Sequence, residues 1–258
     1  MDIVLPAEEA EGILIKEFLS RCGYSSVGTV HIGFDPERMV EVGNQSRICW
    51  KASPLLASVV EDIERGLEEA GIPKPFRAID IGCGAGRDSV YLALRGWHVA
   101  AIDNLAVACE RVGSLARSAN VTAQVKACCI DVEKESISKV WNALLDAHEG
   151  NAAHLVLKCR YLHRPLLENL CESPIWTRSS YLLVNTFVKS DTHVLVKPKS
   201  PNKFLYPGEM TTLCPKLKII RYEEVVLPTA QPVIEFLGQM NGNDGSLEVE
   251  EGSEKVST

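Results

Sequence analysis

The stretch Arg77-Ala78-Ile79-Asp80-Ile81-Gly82-Cys83-Gly84-Ala85-Gly86-Arg87-Asp88 decides the fold of this chain. Its first part is an apolar, β-branched run that is typical of a buried strand, and its second part carries glycines on alternate positions. Glycine has no Cβ and adopts positive φ readily, so a strand that ends in such a turn lets a ligand approach the backbone closely. Asp88 to Leu94 then begin a helix. The pattern predicts a strand–turn–helix unit that binds a ligand at its turn.

A second strand supplies the next part of the predicted site. Val99-Ala100-Ala101-Ile102 is another apolar run, and it ends in Asp103. An acidic residue at this distance beyond a glycine turn can accept hydrogen bonds from both hydroxyls of a ribose. The two strands together predict a site for a nucleoside-containing cofactor.

The glycine spacing bears on the kind of cofactor. Dinucleotide sites read G-x-G-x-x-G and place a pyrophosphate at the N-terminus of the following helix. Here the pattern is Asp80-x-Gly82-x-Gly84-x-Gly86, and Asp88 in the first helical turn would repel a pyrophosphate. A dinucleotide site and a purely structural glycine turn stay open as alternatives, but both are disfavoured.

Composition sets the broad class of the protein. With 258 residues, 46% of them hydrophobic and 24% charged, the chain has room for one α/β domain plus extensions. A net charge of −7 gives no global attraction to nucleic acid or to an anionic membrane. The nine cysteines include no C-x-x-C pair, so we expect neither a metal site nor a disulfide framework, and we expect a reducing, cytoplasmic location. No stretch is long enough to span a bilayer and the chain begins with no signal peptide, so we expect no membrane partner.

The chain divides into three parts. Residues 1–45 predict an N-terminal β-α-β appendage, residues 46–240 predict the cofactor-binding domain, and residues 241–258 are acidic and polar enough to predict a disordered tail. At the start of the main domain, Ser53 and Pro54 predict the beginning of a helix. Trp50, just before it, is interpreted either as a core anchor or as an aromatic lid over the cofactor.

Strands alternate with helices through the main domain, which predicts an α/β fold with a doubly wound, mostly parallel, seven-stranded sheet and a late antiparallel pair. Ligands in such a sheet bind at the carboxyl ends of the strands. Helices are predicted from residue 54 to the stop at Gly71 and Pro73, at residues 105–118 and at residues 166–171. Strands beyond the first two are predicted at residues 121–130, 154–159, 180–187, 216–226 and 232–238.

Two further strand ends carry polar groups. Asp131 follows the third strand, where its carboxylate can accept from an adenine amino group while the Val132 N–H meets a ring nitrogen; the alternative is that Asp131 only forms a turn. The fourth strand runs into Arg160-Tyr161-Leu162-His163-Arg164. Arg160, Tyr161, His163 and Arg164 can bind an anionic acceptor, and His163 can remove its proton. Equally, Arg160 can pair with a carbonyl or an acid and His163 can pack against the next helix.

The glycine motif resembles motif I of class I S-adenosylmethionine-dependent methyltransferases. Gly86–Ala93 with Arg95-Gly96-Trp97, Cys159–Leu166 and Lys197–Glu209 look like motifs of the tellurite-resistance-type branch. His154 departs from that branch, whose members usually have an Asp there. The N-terminal segment is similar to the last part of a rhodanese-like domain, but its loop Pro6–Glu8 lacks the reactive Cys, so we expect a truncated remnant that only packs.

The resemblance implies a Rossmann-like methyltransferase fold and S-adenosyl-L-methionine as the cofactor. It implies that Asp80 and the glycine turn hold the methionine portion, Asp103 the ribose and Asp131 the adenine. The full cofactor set that it implies is Asp80, Gly82, Cys83, Gly84, Gly86, Arg87, Asp103, Asn104, Asp131, Val132 and Arg160, and the acceptor-side catalytic candidates are Arg160, Tyr161 and His163.

Three function classes stay open on the sequence. The first is a methyltransferase for a small-molecule acceptor that is soft or anionic. The second is a methyltransferase acting on RNA or protein, for which Lys197, Lys199 and Lys203 make a small basic patch. The third is a non-catalytic regulatory protein that binds S-adenosylmethionine. The sequence leaves the acceptor and the oligomeric state open.

Overall fold

The structure is a computed structural model, and it describes residues 51–170, 172–195, 198–227 and 229–240. The predicted appendage of residues 1–45, Trp50 and the predicted acidic tail of residues 241–258 lie outside the described residues. Every helix in the described part is too short or too polar to cross a membrane.

Helices and strands alternate along the described part of the chain. Their bounds are α1 (Pro54–Glu69), β1 (Arg77–Ile81), α2 (Arg87–Leu94), β2 (His98–Asp103), α3 (Ala106–Ser118), β3 (Val125–Cys129), α4 (Ile137–Ala147), β4 (Ala153–Cys159), α5 (Arg164–Leu170), β5 (Trp176–Phe187), α6 (Glu209–Leu213), β6 (Leu217–Val226) and β7 (Pro232–Met240).

The strands form one seven-stranded sheet in the order β3-β2-β1-β4-β5-β7-β6. Strands β1 to β5 pair in parallel, and β7 pairs antiparallel with both β5 and β6. The order reverses between β1 and β4, which is where ligands bind in an open α/β sheet. The predicted doubly wound sheet with its late antiparallel pair is therefore confirmed.

Two apolar layers cover the faces of the sheet because strand residues alternate between them. On one face, Ala78 and Leu155 pack under α1, whose buried residues recur at helical spacing from Leu55 to Leu67. On the other face, Ile79 and Val156 pack with residues of α4 and α5. This alternation also decides the direction of the polar strand residues, so Asp80 and Lys158 lie on opposite faces.

Several element boundaries differ from the sequence prediction. Residues 121–124 form a turn rather than the start of β3, with the Gln124 N–H donating to the Val121 carbonyl at 3.1 Å. Helix α4 was not predicted. Its signals are present in the sequence: the Ser136 hydroxyl accepts from the Lys139 N–H, and Val140, Trp141 and Leu144 form its buried face.

One partly buried acid fastens α1 to the turn after α2. The Glu64 carboxylate accepts from Arg95 Nε at 2.9 Å and Nη2 at 2.6 Å, and also from Trp97 Nε1 at 2.8 Å. Trp97 is buried. The three hydrogen bonds set the position of α1 over the strand that leads into the glycine turn.

We predict that Glu64→Ala lowers the free energy of unfolding by about 2 kcal/mol, because it leaves the buried Trp97 N–H and a half-buried guanidinium without an acceptor. The measurement is urea unfolding followed by tryptophan fluorescence. Asp62→Ala is the matched control: its ion pair with Arg65 is 66% and 64% exposed, so we expect a change within about 0.5 kcal/mol. Equal effects of the two substitutions would contradict this account.

Candidate functional site

The glycine turn is fastened to the end of β2. The N–H groups of Gly82 and Cys83 both donate to the Ile102 carbonyl, at 2.8 and 2.9 Å. The Gly84 N–H donates to Asp103 Oδ2 at 3.0 Å. These bonds hold the turn and the Asp103 carboxylate in one fixed arrangement at the carboxyl ends of two neighbouring strands.

Gly82 and Gly84 differ in what surrounds them, although both have positive φ, 75° and 55°. A Cβ on Gly84 would have no atom within 4 Å, so this part of the turn faces open space. A Cβ on Gly82 would lie 2.8 Å from Tyr161 Cβ and 2.9 Å from its Cγ. One part of the turn is therefore open to a ligand, and the other is covered by Tyr161.

Asp80 lies one strand residue before the turn and is buried. Its Oδ2 accepts from the Ser89 hydroxyl at 2.6 Å. Burial, followed by the charge of Asp88, raises the pKa of Asp80 to about 7. Ionisation of the buried Asp80 is therefore unfavourable. An ammonium group bound at the turn would make it more favourable, since an opposite charge stabilises the ionised carboxylate.

Asp88 has a role that the sequence did not show. Its buried Oδ1 accepts from the Ser53 N–H at 2.7 Å and from Arg87 Nε at 3.1 Å. The carboxylate therefore connects the first turn of α2 to the residue that precedes α1. It orients Arg87 at the same time.

Asp103 ends β2 with both oxygens in use: Oδ2 accepts from the Gly84 N–H, and Oδ1 accepts from the Leu105 N–H at 3.0 Å. Each carboxylate oxygen has two acceptor positions, so capacity for ribose hydroxyls remains. Asp103 lines a small cavity of about 60 Å³ whose other walls are Ile81, Gly82, Ile102, Asn104, Ile130, Asp131, Val132 and Tyr161.

Asp131 both forms a turn and lines that cavity. Its Oδ1 accepts from the Glu133 N–H at 3.1 Å, and its Oδ2 pairs with Lys134 Nζ at 3.0 Å. The hydrogen bond from Lys134 lowers the pKa of Asp131. The contacts of Asp131 are thus those of a turn residue. Asp131 also lies on the cavity wall, so its role in binding adenine stays a prediction.

Arg160 follows β4 with a φ of 61°, and its N–H donates to the Asn185 carbonyl at 2.6 Å. Its guanidinium lies 5.2 Å from the centre of the Phe187 ring. Burial, partly offset by Cys159 and reinforced by the charge of Arg87, lowers the pKa of Arg160. The positive charge of Arg160 therefore stays at the end of β4, and its predicted place in the cofactor site stays a prediction.

Tyr161 covers Gly82 and is held by polar contacts. Its hydroxyl donates to Glu133 Oε1 at 3.1 Å, while Lys158 Nζ lies 5.0 Å and Lys203 Nζ 5.7 Å from the centre of its ring. Burial, followed by the charge of Glu133, raises the pKa of Tyr161. The phenol is therefore a hydrogen-bond donor at neutral pH and not a base.

Sequence reasoning missed Lys158, whose Nζ lies 5.0 Å from the centre of the Tyr161 ring. Its side chain is 0% exposed, and among the described residues its Nζ has no hydrogen-bond partner. Burial lowers the pKa of Lys158 to about 7. A lysine inside the apolar run of β4 was the available signal, because lysine is almost never fully buried without a partner.

His163 follows Tyr161 in the loop between β4 and α5. Its Nδ1 is buried and has no hydrogen-bond partner in the described part of the chain. Burial, followed by the charge of Lys158, lowers the pKa of His163. The imidazole is therefore neutral at pH 7, and its predicted role as a base stays a prediction.

Arg164, which was predicted among the acceptor-side residues, makes most of its contacts within the protein. Its Nε and Nη2 donate to the two oxygens of Glu209, Nη1 donates to the Pro201 carbonyl at 3.0 Å, and Nη2 donates to the Phe204 carbonyl at 2.8 Å. The side chain ties the segment before α6 to the first residue of α5. These contacts use four of its five N–H donors and give it a structural role.

Two other sequence interpretations change with the structure. Lys203 of the predicted basic patch pairs with Glu133 at 3.0 Å, and Lys197 lies outside the described residues.

His154 opens β4 at the end of the sheet away from the site, where its Nδ1 accepts from the Arg77 N–H at 3.1 Å. Its departure from the related branch therefore does not touch the cofactor site.

Comparison with known proteins agrees with this geometry. Residues 59–155 match the family model described as tellurite resistance protein TehB, which spans β1, the glycine turn, Asp103 and Asp131. The chain is 23% identical over 233 residues to the uncharacterized protein UNK4.09 of Schizosaccharomyces pombe, covering 78% of this chain and 66% of that protein. The chain thus spans about two thirds of the length of this curated relative.

Solved structures show the same architecture. Magnesium protoporphyrin IX methyltransferase of Synechocystis PCC 6803, solved with bound SAH, aligns with a TM-score of 0.51 at 13% identity, over 72% of this chain and 82% of that chain. The fold is that of class I methyltransferases. The cyclase SpnF aligns equally well, with a TM-score of 0.51 at 11% identity, over 70% of this chain and 80% of that chain. At these identities the two alignments show a shared fold.

We predict that Asp80→Asn stabilises the protein increasingly between about pH 4 and pH 7. The buried Asp80 keeps its proton in the folded state over this range while it ionises in the unfolded state, so the native side chain costs more stability as the pH rises through the range. The Asn amide oxygen can still accept from Ser89. The measurement is the difference in the free energy of unfolding between Asp80→Asn and the native chain at several pH values; a constant difference would contradict the prediction.

Proposed function

We propose that this protein transfers the methyl group of S-adenosylmethionine to a small-molecule acceptor. The observation that carries the proposal is the convergence of Asp80, Asp103 and Asp131 at the carboxyl ends of β1, β2 and β3, around a glycine turn whose middle residue faces open space. Three acids and an exposed backbone match a cationic, hydroxyl-rich nucleoside better than they match a pyrophosphate.

The described residues fit the cofactor. Asp80 would take the ammonium of the methionine portion, Asp103 the ribose hydroxyls and Asp131 the adenine amino group, with Arg160 and Arg87 near the carboxylate. S-adenosylmethionine supplies a methyl group that its sulfonium already activates. The protein's part is to align the acceptor and to exclude water.

The acceptor side favours a small molecule over RNA. The net charge of −7 opposes a polyanion. The charge of Lys203 is paired with Glu133, so it adds little to a basic surface. Tyr161 supplies a hydroxyl that donates at neutral pH, and His163 follows it in the loop after β4. A cytoplasmic location stays a prediction from cysteine usage.

We predict that Asp103→Asn weakens the binding of S-adenosylmethionine by about ten- to hundredfold, because charge-assisted hydrogen bonds contribute about 1.5–3 kcal/mol each. The asparagine keeps the size of the side chain and an oxygen for the Gly84 N–H. Isothermal titration calorimetry measures the effect. Asp62→Asn, an exposed acid on α1, is the control and should bind as the native chain does.

The acceptor class has its own experiment. We expect that incubating the protein with methyl-labelled S-adenosylmethionine and a fractionated cell extract places the label in the small-molecule fraction, because the net charge of −7 opposes a polyanion and Lys203 is paired with Glu133. Label in RNA or in protein would contradict a small-molecule acceptor and would indicate a macromolecular one. Tight cofactor binding without any transfer would indicate the non-catalytic regulatory class.

A further inference from the structure

A buried amine lies next to the proposed cofactor site without an explanation in the fold. Lys158 is at the carboxyl end of β4, where the sheet order reverses, and its Nζ lies 5.0 Å from the centre of the Tyr161 ring. It has no hydrogen-bond partner among the described residues. A buried polar group without a partner lowers stability, so a purely structural residue at this position would be apolar.

The groups around Lys158 come from four parts of the chain. Tyr161 and His163 follow β4, Glu133 follows β3, Cys214 follows α6, and Lys203 Nζ lies 5.7 Å from the centre of the Tyr161 ring. Burial lowers the pKa of Lys158 to about 7, and the smaller opposing effects of Cys214 and Glu133 do not offset it. A large share of the molecules therefore carries a neutral amine at physiological pH.

Tyr161 lies close both to the glycine turn and to this amine. A Cβ on Gly82 would lie 2.8 Å from Tyr161 Cβ, and Lys158 Nζ lies 5.0 Å from the centre of the Tyr161 ring. The cavity beside it measures about 60 Å³, whereas ligand pockets usually measure about 300–1,000 Å³. Because this cavity is small, the proposal below requires a bound nucleoside to displace Tyr161 from Gly82 and thereby to uncover Lys158.

We propose that Lys158 is the general base of this site, which removes a proton from the acceptor's nucleophilic O–H, N–H or S–H group after cofactor binding has moved Tyr161 aside. The proposal rests on the proposed function and names its acceptor class, a small protic nucleophile. Lys158 suits the role better than His163, because a base works best when its pKa lies near the working pH and that of His163 is pushed below its usual value.

The proton and electron balance is simple. The Lys158 lone pair takes the acceptor's proton as the acceptor's own electron pair forms a bond to the methyl carbon. The carbon–sulfur bond breaks and its electron pair stays on sulfur, which becomes a neutral thioether. The Lys158 ammonium returns its proton to solvent when the products leave.

The first test needs no acceptor. In protein labelled with ¹³C at lysine Cε, we expect one resonance that titrates near pH 7 and is missing in Lys158→Met. Lys158→Met should also raise the melting temperature, most at pH 7 and below and least near pH 10.5, because the native amine must lose its proton to stay buried. Titration of the assigned resonance near its ordinary value would overturn the proposal.

The second test measures how accessible Lys158 is. The protein is treated with acetic anhydride at pH 7, and peptide mass spectrometry measures the rate at which Lys158 is acetylated. We expect protection in the free protein and in Tyr161→Phe, and at least tenfold faster acetylation in Tyr161→Ala or after addition of S-adenosylhomocysteine. Lys189, which lies 5.7 Å from the exposed Tyr206 ring, is the internal reference and should react equally in all samples.

The outcomes separate the two proposals. If calorimetry shows that S-adenosylhomocysteine binds while Lys158 stays protected, the inference about Lys158 fails and the proposed function stands. If no binding occurs, the proposed function fails.

With the acceptor that the label screen identifies, Lys158→Met should lower kcat by about 10²–10⁴-fold and remove the acidic limb of the pH profile, with cofactor affinity unchanged. Lys189→Met should leave the rate unchanged, and unaltered kcat in Lys158→Met would overturn the inference.

Discussion

The hydrogen bonds between the glycine turn and the end of β2 are the constraint on which the site depends. The Gly84 N–H binds the Asp103 carboxylate, and two further N–H groups of the turn bind the Ile102 carbonyl. Two neighbouring strand ends are thereby fixed relative to each other before any ligand arrives. A ligand that contacts both ends does not have to order them, so more of its binding energy remains for affinity and orientation.

Burial has opposite effects on two charged residues at the strand tips. Asp80 faces α1 and α2 on one side of the sheet, and its pKa is raised to about 7; Lys158 faces α4 and α5 on the other side, and its pKa is lowered to about 7. Each is shifted mainly by the loss of water. Groups whose pKa values are shifted toward the working pH by their environment are often found at functional positions. Asp80 and Lys158 lie on β1 and β4, the two strands between which the sheet order reverses.

Local patterns were sufficient for most of the fold. The glycine turn, the alternating elements and the late strand pair were all predicted, because hydrophobic periodicity and glycine or proline signals act over a few residues. Element ends were less well predicted: residues 121–124 have strand-like composition but form a turn, and α4 was missed although Ser136 caps it. The contacts of Arg164 could not be predicted from local patterns, because its partner Glu209 is distant in sequence.

The sequence alone determined the kind of sheet, the position of the glycine turn and the strand ends at which Asp80, Asp103 and Asp131 stand, since these follow from residue order and from the two-residue period of a strand. Only the tertiary structure decided which polar groups are buried, paired or left without partners. Burial and partner choice arise from elements far apart in the chain: Asp88 accepts from the Ser53 N–H, Tyr161 covers Gly82, and Lys158 is buried near the Tyr161 ring. The electrostatics of the site, and with it the chemistry we propose, follows from that packing.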